Sequence, residues 1–235
     1  MKVVILAGGL GTRLAEETEI KPKPMVEIGG WPILWHIMKH YAHYGHKEFY
    51  IALGYKGEVI KRFFMDYAAL TSSLTVDLAK GLVTMHASKA EDWVVHLMDT
   101  GVTTQTGGRL KRLEPWLKDS SFMITYGDGV SNVNLDSLVQ LHRTKGRVGT
   151  VTAVRPPARF GGILFDGDIV DKFAEKPQIG EGWINGGYFV FEPNIFDYLE
   201  GDRSSLEAHR LEKLAADRQF AAYKHIDFCQ CMESD

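Results

Sequence analysis

Apolar positions along the first two-thirds of the chain alternate between two periods, and the alternation predicts its architecture. Lys2–Ala7 is a short, largely apolar run closed by Gly8 and Gly9, the pattern of a strand buried on both faces. Ile33, Leu34, Ile37, Met38 and Tyr41 fall at helical spacing within Trp31–Tyr44, with Pro32 suited to the first turn. Phe49–Leu53 predicts a second strand and Glu58–Leu70 a second helix. Leu74–Val76, Leu82–His86 and Val94–Met98 predict short strands with no helical periodicity between them. Helices over Gly108–Leu117 and Leu135–Lys145 then alternate with strands over Phe122–Tyr126 and Gly149–Val154. This order predicts an α/β fold with a largely parallel sheet and helices on both faces.

Beyond Arg155 the pattern changes. Pro156-Pro157 and Gly161-Gly162 are loop chemistry, followed by strands near Ile163–Phe165, Ile169–Phe173 and Tyr188–Phe191. Ser205–Asp217 predicts a helix and Ala221–His225 a last strand. No repeat, low-complexity tract or linker divides the chain, so residues 1–235 read as a single domain.

Composition adds exclusions. With 45% hydrophobic and 24% charged residues the chain is expected to fold, not to remain disordered. A net charge of -3 supplies no basic field for nucleic acid, so a polyanion must be bound locally and with a divalent cation. No apolar run is long enough for a membrane helix, and the N-terminal stretch is too short for a signal peptide, so a cytoplasmic protein is expected. Cys229 and Cys231 are expected to be reduced packing thiols on one face of a strand. His36, His40, His43 and His46 lack the acidic partner of a zinc helix and read as partly exposed helix histidines.

The chemistry begins where the first strand ends. Gly8, Gly9 and Gly11 let a phosphate chain approach the backbone, Thr12 adds a hydroxyl, and Arg13 a planar fork of donors. In Lys21-Pro22-Lys23-Pro24, proline holds two ammonium groups on a stiffened segment. Leu14 occupies the place where a dinucleotide fingerprint needs its third glycine, which argues against a dehydrogenase, and no Walker A loop is present. Asp128, between Gly127 and Gly129 after a strand, suits either a metal ligand or a plain Asp-Gly turn. Glu175-Lys176-Pro177 and Asn185-Gly186-Gly187 suit a hydroxyl-rich ligand.

Leu6-Ala-Gly-Gly-x-Gly-Thr-Arg-Leu14 followed by Pro22-Lys-Pro24 resembles the opening motif of sugar-1-phosphate nucleotidyltransferases. Asp99-Thr-Gly101, Thr106-Gly-Gly-Arg-Leu-Lys-Arg112, Thr125-Tyr-Gly-Asp-Gly129, Arg159-Phe-Gly161, Phe173-x-Glu-Lys-Pro177, Ile184-Asn-Gly-Gly187 and Phe228-x-Gln-x-Met232 are similar to the glucose-1-phosphate cytidylyltransferase branch. The resemblance implies a Rossmann-like three-layer fold with a mixed, mostly parallel sheet. Residues 1–154 would form mainly the nucleotide-binding half and 155–235 mainly the sugar-binding half. The implied substrates are CTP, or another nucleoside triphosphate, and a sugar 1-phosphate. Mg²⁺ would be the cofactor, in a homo-oligomer. A uridylyl- or thymidylyltransferase, or a non-catalytic nucleotide-sugar-binding regulator, are the alternatives.

The residues carried over follow the motifs. Arg13 and Lys23 are the catalytic candidates, and Leu6, Ala7, Gly8, Gly9, Leu10, Gly11, Thr12, Thr103, Thr104, Gly108, Arg109 and Gly127 bind the nucleotide. Glu175, Lys176, Asn185 and Gly186 would bind the sugar phosphate, and Asp128 with Glu233 the metal. Glu233 stands where the family has Asp, which keeps the charge and adds a methylene. The branch also continues past this block with an Arg-Asp motif and a terminal helix, so a short C-terminus is expected to weaken metal binding or subunit packing. Glu207-Ala-His-Arg210 replaces its Glu-x-x-Pro, and Cys229 an aromatic residue.

Overall fold

The computed structural model describes residues 1–9, 21–88, 90–155, 162–166, 169–174 and 182–231. Strand β1 (Lys2–Ala7) is followed by a short pair, β2 (Glu27–Ile28) and β3 (Trp31–Pro32), and by helix α1 (Ile33–His43). Next come β4 (Glu48–Leu53), α2 (Gly57–Thr71), a hairpin of β5 (Ser72–Asp77) and β6 (Leu82–Ser88), and β7 (Val94–Asp99). Helices α3 (Thr106–Arg112) and α4 (Glu114–Leu117) lead to β8 (Phe122–Tyr126), β9 (Gly129–Ser131), α5 (Leu135–Lys145) and β10 (Gly149–Val154). The remainder supplies β11 (Gly162–Asp166), β12 (Ile169–Ala174), β13 (Ile184–Phe191), α6 (Glu212–Ala216), β14 (Phe220–His225) and β15 (Cys229–Cys231).

Seven strands share one sheet in the order β14–β10–β13–β8–β1–β4–β7. β1 runs parallel to β4 and β8, β4 to β7, and β10 to β14. β13 runs antiparallel to both β8 and β10, so the sheet is mixed and mostly parallel, as expected. The unbroken apolar run of β1 follows from this central place. Val3, Ile5 and Ala7 pack on one face with Ile33 and Leu34 of α1 and with Leu138 of α5. Val4 and Leu6 pack with Leu110 of α3, Leu117 of α4 and Phe189 on the other. Because β13 is reversed, its first residues lie at the same rim as the carboxyl ends of β1, β4 and β8. That rim is where open α/β sheets bind ligands.

Three predicted helices end differently. Trp31 precedes a proline and is extended, pairing with Ile28, so α1 begins only at Ile33. The helix predicted over Gly108–Leu117 starts at Thr106 and breaks at Leu113, where Pro115 lacks the N–H that would continue the ladder. Ser205–Asp217 is not one helix. Ala208 is extended (ψ 128°) and His209 left-handed (φ 69°), and regular helix resumes at Glu212. The pairs β2–β3 and β9–β15 are too short to carry a period that a sequence could show.

Cys229 and Cys231 do lie on a strand and form no disulfide among the described residues. His36, His40 and His46 are half-buried and His43 is exposed. Among the described residues no helix is long and apolar enough to cross a membrane.

Phe191 is fully buried, with its ring stacked 5.6 Å from that of Phe189. Replacement by alanine leaves a cavity, and Phe191→Ala is expected to lower unfolding stability by about 3–5 kcal/mol in a urea titration.

Candidate active site

The rim encloses a cavity of about 430 Å³, lined by Leu6, Ala7, Gly8 and Gly9 at the end of β1, by Lys23 and Pro24, by Val102–Thr106 and Arg109, and by Tyr126–Asp128. Most sequence candidates among the described residues therefore meet in one place. Leu10, Gly11, Thr12, Arg13, Glu175, Lys176 and Glu233 lie outside the described residues.

Arg109 is 4% exposed and closes the floor. One terminal nitrogen donates to Leu53 O (3.0 Å), Thr100 Oγ1 (2.7 Å) and Gly101 O (2.7 Å). The other donates to Gly8 O (2.8 Å) and Val102 O (3.3 Å). Thr100 Oγ1 in turn donates to Leu53 O at 2.6 Å, which leaves its lone pairs to accept from the arginine. Burial, and then the nearby Arg112 charge, lower the Arg109 pKa, with Asp99 opposing them. A guanidinium nonetheless stays protonated. Its bulk dictates two glycines. A β-carbon at Gly8 would collide with Arg109 Cζ, and one at Gly54 would lie 2.5 Å from Nη1. Among the described residues nothing lies within 4 Å of a β-carbon at Gly9.

Lys23 sits in a single tight turn, Lys23–Met25, anchored by buried Pro24 and Met25 and by Met25 N–H to Pro22 O at 2.8 Å. The turn sends its ammonium to within 3.9 Å of Asp128 Oδ2, with 15% and 34% of the two side chains exposed. Lys21 is turned to Glu27 at 2.6 Å. Gly127 makes the approach possible. Its N–H donates to Leu6 O (3.0 Å), and a β-carbon there would sit 2.9 Å from Pro24 Cγ. Asp128 is the half-open carboxylate of the cavity. Among the described residues no three His, Cys, Asp or Glu side chains converge as a metal site. Asp128 is a single oxygen donor of the kind that hard divalent cations take, together with phosphates and water.

Glu207, which sequence reasoning did not place here, joins the walls. Its carboxylate accepts from Tyr126 OH (2.6 Å), Thr106 Oγ1 (2.6 Å) and Ser205 Oγ (2.8 Å). Burial works against the anion, but the hydrogen bonds from Thr106, Tyr126, its own backbone and Ser205 outweigh it and hold the carboxyl below its usual range. Burial and then the Glu207 charge keep the Tyr126 phenol protonated far above its ordinary pKa. Asn185 Nδ2 donates to the Tyr126 oxygen at 3.3 Å, which ties this sugar-side candidate to a residue of the cavity wall. Gly187, at φ +80°, lets the Tyr126 ring lie over it.

Three described candidates, Gly108, Asn185 and Gly186, do not line the cavity, and the two glycines pack against neighbouring chain. A β-carbon at Gly108 would meet Asp202 Cα at 2.6 Å, and one at Gly186 would meet Val154 Cγ1 at 2.7 Å. Both glycines admit neighbouring chain, and neither lines the cavity. Thr106 and Tyr126 belong to motifs visible in the sequence, but only the fold shows that their hydroxyls converge on one carboxylate.

Residues 2–231 match the nucleotidyl transferase family, to which the chain belongs. Across 235 residues it is 46% identical to glucose-1-phosphate cytidylyltransferase of Salmonella typhi, an alignment covering 100% of this chain and 91% of that one. It is 44% identical to the probable glucose-1-phosphate cytidylyltransferase of Bacillus subtilis, covering 100% of this chain and 92% of the other. The crystal structure of HddC from Yersinia pseudotuberculosis complexed with GMP-PN shares the fold, with a TM-score of 0.70 and 24% identity over 98% of this chain and 92% of that one.

Gly8→Ala is expected to expel the Arg109 guanidinium from its acceptors and to lower unfolding stability by about 2 kcal/mol or more. Gly9→Ala, with nothing among the described residues within 4 Å of the new β-carbon, should stay within about 0.5 kcal/mol of wild type in the same denaturant titration.

Proposed function

We propose that the chain transfers a cytidylyl group from CTP to α-D-glucose 1-phosphate, yielding CDP-glucose and pyrophosphate. The full-length identity of 46% to a protein of that activity carries the reading. A cavity with a lysine and a carboxylate at the rim of a glycine-ended strand supports it.

The nucleophile needs little help. A phosphomonoester has its second pKa near ~6, so glucose 1-phosphate is already a dianion at neutral pH and no general base is required. Its oxygen forms a bond to the α-phosphorus of CTP as the bond from that phosphorus to the pyrophosphate oxygen breaks. The protein's task is to bring two polyanions into line and to offset charge on the leaving group. Lys23 is assigned to the α-phosphate or the attacking phosphate, and Arg13 to the leaving β,γ-phosphates. Asp128 and Glu233 would hold Mg²⁺, which supplies further charge neutralisation when bound.

The test is pyrophosphate release with each of four nucleoside triphosphates against several sugar 1-phosphates. CTP with glucose 1-phosphate should turn over fastest, and chelation of Mg²⁺ should abolish turnover. Faster reaction with UTP or dTTP would reassign the base, and no reaction with any pair would refute the enzyme. Lys23→Ala and Arg13→Ala are each expected to reduce kcat by about 100-fold or more, since each removes a charged group that acts in the transition state. A normal rate in either variant would end that residue's assignment.

A further inference from the structure

Glu207 lies 81 residues from Tyr126 and 101 from Thr106 along the chain, yet its carboxylate binds both hydroxyls at 2.6 Å. We propose that Glu207 is a positioning residue of the transfer reaction: it sets the direction of the Tyr126 hydroxyl and thereby keeps that oxygen as the acceptor that steadies the Asn185 amide. The inference rests on the cytidylyl-transfer reading and extends it to a residue with no assigned part.

A tyrosine hydroxyl has one proton. Tyr126 directs that proton to Glu207 Oε1, so toward Asn185 it presents lone pairs, and it accepts from Nδ2 at 3.3 Å. The other end of the amide is set as well, because Asn185 Oδ1 accepts from Gly187 N at 2.8 Å. One amide hydrogen is thus directed to Tyr126, and the exposed side chain presents the second as a donor of fixed direction for a hydroxyl or phosphate oxygen. Without the carboxylate the Tyr126 hydroxyl can turn its proton toward Nδ2, and the amide is then held at its Oδ1 end alone.

The carboxylate itself is held against swinging away. Ser205 Oγ donates to it at 2.8 Å, and Thr106 Oγ1 accepts from Leu206 N at 2.9 Å while donating to Glu207. The chain then turns sharply through extended Ala208 and left-handed His209. A left-handed non-glycine residue is costly and persists where its surroundings over-determine it. Thr106, at the start of α3, belongs to the same cavity wall as Thr103 and Thr104. Glu207 therefore ties this wall to Tyr126 and, through its hydroxyl, to Asn185.

The test uses the full chain with Glu207→Gln and Tyr126→Phe, singly and together. Glutamine keeps the size but offers one acceptor oxygen and an NH₂, so the Tyr126 and Thr106 hydroxyls cannot both donate as before. Each single variant is expected to lower kcat/KM for glucose 1-phosphate by about 10- to 100-fold, as for loss of a hydrogen bond to a charged group. The double variant should be no worse than the poorer single one, because both break one chain of bonds. A brace of merely structural value would shift the thermal midpoint and leave this non-additivity absent. Wild-type kcat/KM in Glu207→Gln, or effects that multiply in the double variant, would overturn the proposal. If Glu207→Gln does not fold, Tyr126→Phe decides alone, and a value within two-fold of wild type refutes it. If the wild-type chain releases no pyrophosphate, the transfer reading fails separately. Calorimetric affinity for glucose 1-phosphate then decides: equal Kd in wild type and Tyr126→Phe overturns the Glu207 proposal, and weaker binding in the variant sustains it.

Discussion

A buried guanidinium organises the ligand rim. No carboxylate among the described residues pairs with Arg109, and its charge is instead solvated by four backbone carbonyls and one hydroxyl at the ends of β1, β4 and β7. Burying a cation is expensive unless every donor is matched, and here the strand ends supply the acceptors that water would otherwise provide. The same bonds cross-link the ends of three strands that the sheet already sets side by side. Removing the side chain would take one donor from Leu53 O and Gly8 O, which keep Thr100 N–H and Tyr55 N–H, and would take the Arg109 donor from Gly101 O and Val102 O. The glycines at positions 8 and 54 follow from this packing, whatever a ligand also asks of Gly8.

A second tie holds the opposite wall. The first turn of α3 has backbone donors without helical partners, and the strap before Glu207 accepts from them. Gln105 N donates to Asp202 O at 2.8 Å and Gly108 N to Ser204 O at 3.0 Å. Arg112 adds a two-pronged contact to Asp202 at 2.8 and 2.6 Å. Gly107 and Gly108 are small because the strap lies directly against them, with Ser204 O 2.8 Å from where a β-carbon of Gly107 would be. A motif that reads as a ligand loop is thus, in half its residues, a docking surface for a distant part of the same chain.

These ties let an acidic protein hold a polyanion. The chain carries a net charge of -3, so attraction must be local. Arg109 below the cavity and Lys23 at its side place positive charge where a phosphate chain would lie, and Asp128 adds a carboxylate for a cation. The reversal of β13 does the rest. It carries Asn185 to the rim from a segment that follows β8 by many residues, where its amide meets the Tyr126 hydroxyl.

How much of this was legible in the sequence depends on the range of the forces involved. β1, α5 and β10 match their sequence patterns to the residue, because an apolar run between glycines or a full helical period is a local pattern. That Lys23, Asp128, Thr103 and Thr104 belong together was legible as well, since rigid prolines, an Asp-Gly turn and the resemblance of the motifs group them, and the fold sets all four around one cavity. The broken helix at Ala208–His209 was not, because local periodicity there gives way to a carboxylate drawn inward by three hydroxyls. Nor does any spacing reveal that Gly108 faces Asp202 or that Arg109 is held by five oxygens. By itself, then, the sequence determined the alternation of strands and helices and the chemistry of the opening loop. Tertiary structure alone decided which side chains share a partner, because the partners of Arg109 and Glu207 come from segments as far as 101 residues away, where no periodicity reaches.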